Sequence, residues 1–267
     1  MIADIKEEVL RRLACIEREH DVEVLFAVES GSRVWGFASP DSDYDVRFVY
    51  RHRPEWYQSL WSDMRRDVIE PKIVDDIDLS GWDVRKALRL FRKSNPSFVE
   101  WTQSPIIYVD DGVFLRRARE VLPAIYSPRA GYEHYRSMAK ANQREHLSGD
   151  SVKLKKYLYV IRALLARKYV LNHRLPPPLP ILELLPMFGS DYCAKAALLE
   201  LIERKATVGE LGTGEPLEAL NDFISGENVE HVFKETRDDR EADRLVEELY
   251  ATTVYGRHFR DNHNNSG

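Results

Sequence analysis

Apolar positions recur at helical spacing at Ile2, Ile5, Val9, Leu13 and Ile16, which predicts an amphipathic helix over 2–19 that packs on a sheet. The period then changes. Val22-Glu23-Val24-Leu25-Phe26-Ala27-Val28 is β-branched and aromatic enough for a buried strand, and Gly31-Ser32 breaks it. A second strand is expected over 43–51, ended by Arg51-His52-Arg53-Pro54; Trp56, Leu60, Trp61 and Met64 then suggest a lid or short helix, packed inward or offered to a base. Between Lys72 and Asp83 a strand should flow into a helix, with Ile73, Ile77 and Leu79 on one face and Val74, Asp76 and Asp78 on the other. Ser80, with Asp83 three residues on, imitates a capping box for a helix over 81–93 that buries Val84, Leu88 and Phe91. Its cations Arg85, Lys86, Arg89, Arg92 and Lys93 read as a solvated face before an RNA-contact stripe. Asn95-Pro96 restarts a short helix containing Phe98, Val99 and Trp101, and Ile106-Ile107-Tyr108-Val109 closes a mixed sheet of four or five strands.

Beyond residue 110 nothing looks strand-like. Helical patterns cover 112–122, 128–147, 151–171, 180–205, 215–225 and 238–255, with Arg174-Leu175-Pro176-Pro177-Pro178-Leu179-Pro180 as a stiff connector and 261–267 as a polar, frayed tail. The expectation is an α+β chain: a catalytic domain over 1–125 and an all-helical domain over 126–267.

A chain of 267 residues with 43% hydrophobic content has ample material for a core. The net charge of -5 argues against a wholly basic nucleic-acid binder, so contacts with a polyanion would be local. Cys15 and Cys193 are isolated, without zinc-ligand spacing, which suits a reducing cytoplasm. The charged N-terminus and the lack of a long apolar run predict neither signal peptide nor membrane span. The eight histidines show no paired-ligand spacing, and the glycines at 209, 212 and 214 follow no strand, so a dinucleotide fingerprint is not expected.

The chemistry concentrates between Glu29 and Arg47. A strand that runs into a glycine turn and a short helix exposes backbone N–H groups to a phosphate oxygen, and a glycine lets the phosphate come close. Asp43 and Asp45, two apart on the next strand, share a face. Paired acids repel, and a divalent cation completed by substrate phosphates relieves them. On the later helix, Lys155, Tyr159 and Arg162 align with Lys156 at their edge, a cationic face able to meet a triphosphate or simply a wet helix face.

The run Gly-Ser-Arg-x-x-Gly, four residues, then Asp-Ser-Asp-Tyr-Asp-Val-Arg, from Gly31 to Arg47, resembles the signature of the DNA polymerase β nucleotidyltransferase superfamily. It looks like the predicted-nucleotidyltransferase branch associated with RNA ligase and RNA repair, and the Lys-Lys-Tyr-x-Tyr-x-x-Arg pattern at 155–162 extends the likeness. The resemblance implies a polymerase-β-like nucleotidyltransferase fold and an NTP substrate. It further implies two Mg²⁺ or Mn²⁺ ions held by Asp43 and Asp45, and a third carboxylate from a later strand, matched by Asp78 with Asp76 as runner-up and Asp75 pointing away. Gly31 and Ser32 would hold the β,γ-phosphates with Arg33 assisting, Asp41 would brace the loop, and Lys155, Lys156, Tyr159 and Arg162 would close over the nucleotide. The acceptor hydroxyl stays open among an RNA end, a protein and a small molecule, and RNA ligase is an expected associate. The opposing reading is a non-catalytic nucleotide-binding module on the same fold.

Overall fold

The computed structural model describes residues 5–209, 211–227, 231, 233 and 237–256. The expected tail at 261–267 and the first residues of the N-terminal helix lie outside them. Helix α1 (Ile5–His20) lays Val9, Leu13 and Ile16 on a five-stranded sheet made by β1 (Glu23–Glu29), β2 (Tyr44–Arg51), β3 (Val68–Ile69), β4 (Ile77–Asp83) and β5 (Ile107–Asp110). Strand order is β3-β4-β2-β1-β5. β1 is antiparallel to β2 and β5, and β3 to β4, whereas β2 and β4 run parallel. That parallel pair is what matters for function. It needs a crossover, supplied by residues 52–76 with the short helix α3 (Pro54–Gln58).

Each face of the sheet has its own core. Val24, Ala27, Val46, Phe48, Tyr50, Ile77 and Leu79 meet α1. On the other side Phe26, Val28 and Val49 meet α4 (Val84–Arg92), α5 (Pro96–Gln103) and α6 (Phe114–Ile125). This second core continues without a break into the C-terminal helices α7 (Pro128–His146), α8 (Lys155–His173), α9 (Ile181–Leu184), α10 (Tyr192–Val208), α11 (Glu218–Gly226) and α12 (Asp239–Val254). The last of these returns to the sheet, where buried Arg51 pairs with Glu23 at 2.7 Å and donates to the Thr253 carbonyl.

Three local departures from the sequence pattern have physical causes. First, β4 begins at Ile77, not near Ile73, because Asp75 and Asp76 turn the chain at φ of 52° and 58°. It then persists to Asp83, since the pairing with β2 runs from Tyr44↔Ile77 to Tyr50↔Asp83, and the Phe48 ring fills the space where a Cβ on Gly81 would stand. The α4 cap is therefore Asp83, which accepts from the Arg85 amide at 2.9 Å; Ser80 donates to Glu70 instead. Second, the helical half holds a two-residue ribbon, Val152–Lys153 (β6) against Thr213–Gly214 (β7), which delays α8 to Lys155. Third, the helix expected over 180–205 is interrupted by Pro186 and by Gly189 at φ 63°. The α4 cations are paired: Arg85 and Arg89 with Asp63, Lys86 with Asp67, and Arg92 with Asp239 and Asp243. Trp56 stacks on His52 at 4.1 Å, while Leu60, Trp61 and Met64 are exposed.

Asp83 carries a pH-dependent consequence. It is 1% exposed, Tyr57 donates to it at 2.7 Å, and burial pushes its carboxyl up to about 6 from an ordinary 3.8. The folded chain therefore holds this proton more tightly than the unfolded one, so its contribution is full below the ordinary value and is lost as pH rises through about 6. Asp83→Asn should stabilise the fold at pH 8 by on the order of 3 kcal/mol, read as a higher thermal midpoint. The gain should vanish near pH 4. Equal midpoints at pH 8 would contradict this.

Candidate active site

The parallel register of β2 and β4 sets Asp45 opposite Asp78, Arg47 opposite Ser80 and Val49 opposite Trp82. Along β4, Asp78, Ser80 and Trp82 are half-buried while their neighbours are sealed, so this side forms the floor of a cleft. At one end the two carboxylates converge. A single guanidinium nitrogen of Arg47, Nη2, lies 2.8 Å from Asp45 Oδ1 and 2.8 Å from Asp78 Oδ2, and Nη1 donates to the Asp78 carbonyl at 3.0 Å. Burial, with the charges of Asp78 and Asp43, raises the Asp45 carboxyl above its ordinary range against the pull of Arg47 and Arg33.

The loop before Asp45 is fixed from below. Ser30 N–H donates to the Asp45 carbonyl at 2.8 Å, and Asp45 N–H donates to Glu29 Oε1 at 2.9 Å. Glu29 is buried, accepts from the Tyr108 hydroxyl, and burial raises its carboxyl. Gly31 has φ 64°, and a Cβ there would meet Asp45 Oδ2 at 2.1 Å. Only glycine satisfies both demands. Gly31→Ala should therefore displace the Asp45 carboxylate and cost roughly 1–3 kcal/mol of stability from the left-handed backbone. Thermal melts check the second effect, and an unchanged midpoint would contradict it.

The cleft encloses about 680 Å³. Ser30, Gly31, Asp45, Arg47 and Asp78 line its acidic end, Glu70 to Ile73 its rim, and Trp35, Trp82, Trp101, Met138 and Tyr159 its apolar wall. Trp82 lies 4.0 Å from Trp101 between ring centres, and Tyr159 meets Trp35 edge-on at 5.5 Å. Behind Trp35 sits a buried ion pair: Glu100 accepts from Arg162 Nη1, from the Tyr135 hydroxyl and from the Trp35 indole, each at 2.9 Å.

Among the expected site residues, Asp45, Asp78, Gly31 and Tyr159 come together at this cleft. Asp43 stands exposed just before β2, outside the lining, near enough for its charge to act on Asp45. Asp76 uses its carbonyl for Tyr44 N–H and stays off the lining, and Asp75 points away to Arg12 at 2.8 Å. Ser32 is 5% exposed, inside the short helix α2 (Gly31–Trp35), and Ser30 takes its place on the wall. Arg33 braces the loop through the carbonyls of Ser42 and Asp43 and lies 3.7 Å over the Tyr44 ring. Lys155 and Lys156 are half-buried and outside the cleft lining, Lys156 5.1 Å over the Tyr159 ring, with its ammonium pKa lowered by burial and by Lys155. The expected cationic face on α8 needs one correction: Arg162 is 3% exposed, beneath Trp35 and against Glu100, because α8 is buried nearly all round.

Residues 5–252, from α1 almost to the end of α12, match the family described as RlaP, the RNA repair pathway DNA polymerase beta family. The chain belongs to this family. It is also 39% identical over 234 residues to the Uncharacterized protein YcgL of Bacillus subtilis (strain 168), covering 88% of this chain and 89% of that one. Family membership makes the chain a polymerase-β-like nucleotidyltransferase of RNA repair. No helix among the described residues is long and apolar enough to cross a membrane. Trp82, Trp101, Glu100 and Arg47 were given no role in the site by sequence reasoning, although Arg47 closes the signature and Trp101 was placed in a helix. Arg47 had the clearest signal, two residues after Asp45 and hence on the same face of the strand.

Proposed function

We propose that this chain transfers a nucleoside monophosphate from an NTP to an acceptor hydroxyl, with release of pyrophosphate, and that the acceptor is an RNA end. One observation carries the reading: two carboxylates from separate strands, Asp45 and Asp78, converge on one cationic centre at the mouth of a cleft walled by aromatic rings. Hard carboxylate oxygens suit Mg²⁺ or Mn²⁺. Among the described residues no three His, Cys, Asp or Glu side chains form a metal cluster, so the pair would share an ion with the substrate's own phosphates, Asp43 joining from the loop. The ion, once bound, would polarise the α-phosphate and neutralise charge on the leaving oxygens.

The chain's own residues then have distinct tasks. Asp78 takes the proton of the acceptor hydroxyl from its place on the cleft-facing side of β4. Gly31 and the backbone beside it receive a phosphate oxygen, and Arg33 keeps that loop in place. Tyr159, with Trp35 behind it, closes the wall, while Lys155 and Lys156 add positive charge at the edge. Catalysis on this account is alignment plus charge neutralisation.

The test is incubation with α-labelled NTPs, Mg²⁺ or Mn²⁺, and a panel of RNA ends. Metal-dependent label on RNA supports the proposal; label on a protein or small molecule would move the acceptor, a reading favoured by the net charge of -5. Nucleotide binding without pyrophosphate release would leave a binding module. The same reading puts the enzyme in the cytoplasm, where an RNA ligase would seal the ends it prepares.

A further inference from the structure

Arg47 occupies the position in which a metal ion shared by Asp45 and Asp78 would sit. One guanidinium nitrogen touches both carboxylates at 2.8 Å, and a second is held by the carbonyls of Asp78 at 3.0 Å and Val46 at 3.3 Å. The side chain is 18% exposed, and each carboxylate 28%. Without that cation the carboxylates of Asp45 and Asp78, paired across adjacent strands, would face each other as like charges.

We infer that Arg47 is a built-in counter-ion of the metal site: a positioning residue that holds Asp45 and Asp78 in ligating geometry while no nucleotide is bound and excludes a divalent ion arriving alone. The inference rests on the metal-dependent reading above and deepens it. A guanidinium and a divalent ion cannot both lie between the same two carboxylates, since like charges at such separations repel strongly. The ion gains the gap only when something else takes Arg47, and the group suited to a displaced guanidinium is a phosphate, which it grips through two parallel N–H donors. Metal and NTP therefore enter together. The bare site is kept from holding a metal-activated water.

The experiment measures Mn²⁺ affinity without nucleotide, from the free-ion paramagnetic resonance signal. Wild type is compared with Arg47→Gln, Arg47→Lys and the double variant Arg47→Gln/Asp45→Asn. Arg47→Gln should bind Mn²⁺ at least about tenfold more tightly than wild type, because a positive charge has left the gap. The double variant should lose that gain. A purely structural Arg47 would give the opposite sign, since its removal would scatter the ligands and weaken binding. Arg47→Lys keeps the charge, and should Arg47→Gln not fold it decides the matter: the compact ammonium cannot span both carboxylates and both carbonyls, so a gain of a few fold is expected. Mn²⁺ affinity no higher than wild type in whichever variant folds would overturn the inference. The measurement uses neither NTP nor acceptor, so label transfer without a Mn²⁺ gain would defeat Arg47's role alone. A Mn²⁺ gain without label transfer would defeat the transferase reading alone.

Discussion

Replacing Asp45 with Asn should reduce label transfer roughly a hundred- to a thousandfold, the scale seen when one preorganised charge-stabilising group is removed from an active site. The fold should survive. Asn is nearly the same size, its side-chain oxygen can still accept from Arg47, and the backbone bonds to Ser30 and Glu29 do not involve the side chain. Because burial already raises the Asp45 carboxyl, an uncharged amide should leave the thermal midpoint unchanged or higher. Activity and stability should thus part company. An Asp45→Asn protein that is fully active would refute the assignment, and one that is simply unfolded would show that Asp45 is structural.

Arg162→Met should do the reverse, with stability falling first. Arg162 and Glu100 are 3% and 6% exposed, and the pair ties α8 to α5 beneath Trp35. Removing the guanidinium leaves Glu100 buried with only the Tyr135 and Trp35 donors, a change that costs about 3–5 kcal/mol in buried pairs. The second amino group of Arg162 is sealed from solvent with no partner among the described residues, so it offers a nucleotide nothing accessible. The double variant Arg162→Met/Glu100→Gln should recover part of the loss, since removing both charges is far less costly than stranding one. Denaturant melts of the single and double variants check this. A midpoint unchanged in Arg162→Met, with nucleotide affinity alone reduced, would return Arg162 to the binding face.

The contrast between Asp45 and Arg162 shows which parts of the site were legible in the sequence. Gly31 and Asp45 follow from one glycine and period-two alternation, whereas the choice of Asp78 over Asp76, on the same predicted face, came from the family resemblance; β1 and β2 fall close to the predicted spans because β-branched runs bounded by turn residues have few other options. Their convergence depends on β2 and β4 being parallel neighbours, which periodicity does not encode; the family resemblance carried that step. Arg162 was placed on an exposed face because helical-face reasoning assumes one wet side. Helix α8 has scarcely any: Tyr157, Leu158, Val160, Ile161, Leu164 and Leu165 are all buried with it. Glu100 was hidden for the same reason, an acid inside the apolar run Phe98 to Trp101 whose partner lies 62 residues away. The start of β4 was misjudged because Asp75 and Asp76 turn left-handed in a stretch whose apolar alternation continues straight through them.

The central claim is that Asp45 and Asp78 together hold the ion that activates the nucleotide. It is tested most directly by crystals grown with Mn²⁺ and a non-hydrolysable NTP analogue, measured at a wavelength where manganese scatters anomalously. The account predicts an anomalous peak about 2.1 Å from a carboxylate oxygen of each residue, the distance expected for a small hard cation, with Arg47 displaced onto the phosphates. A nucleotide seated in the cleft with the manganese peak away from both carboxylates, and Arg47 still between them, would contradict it.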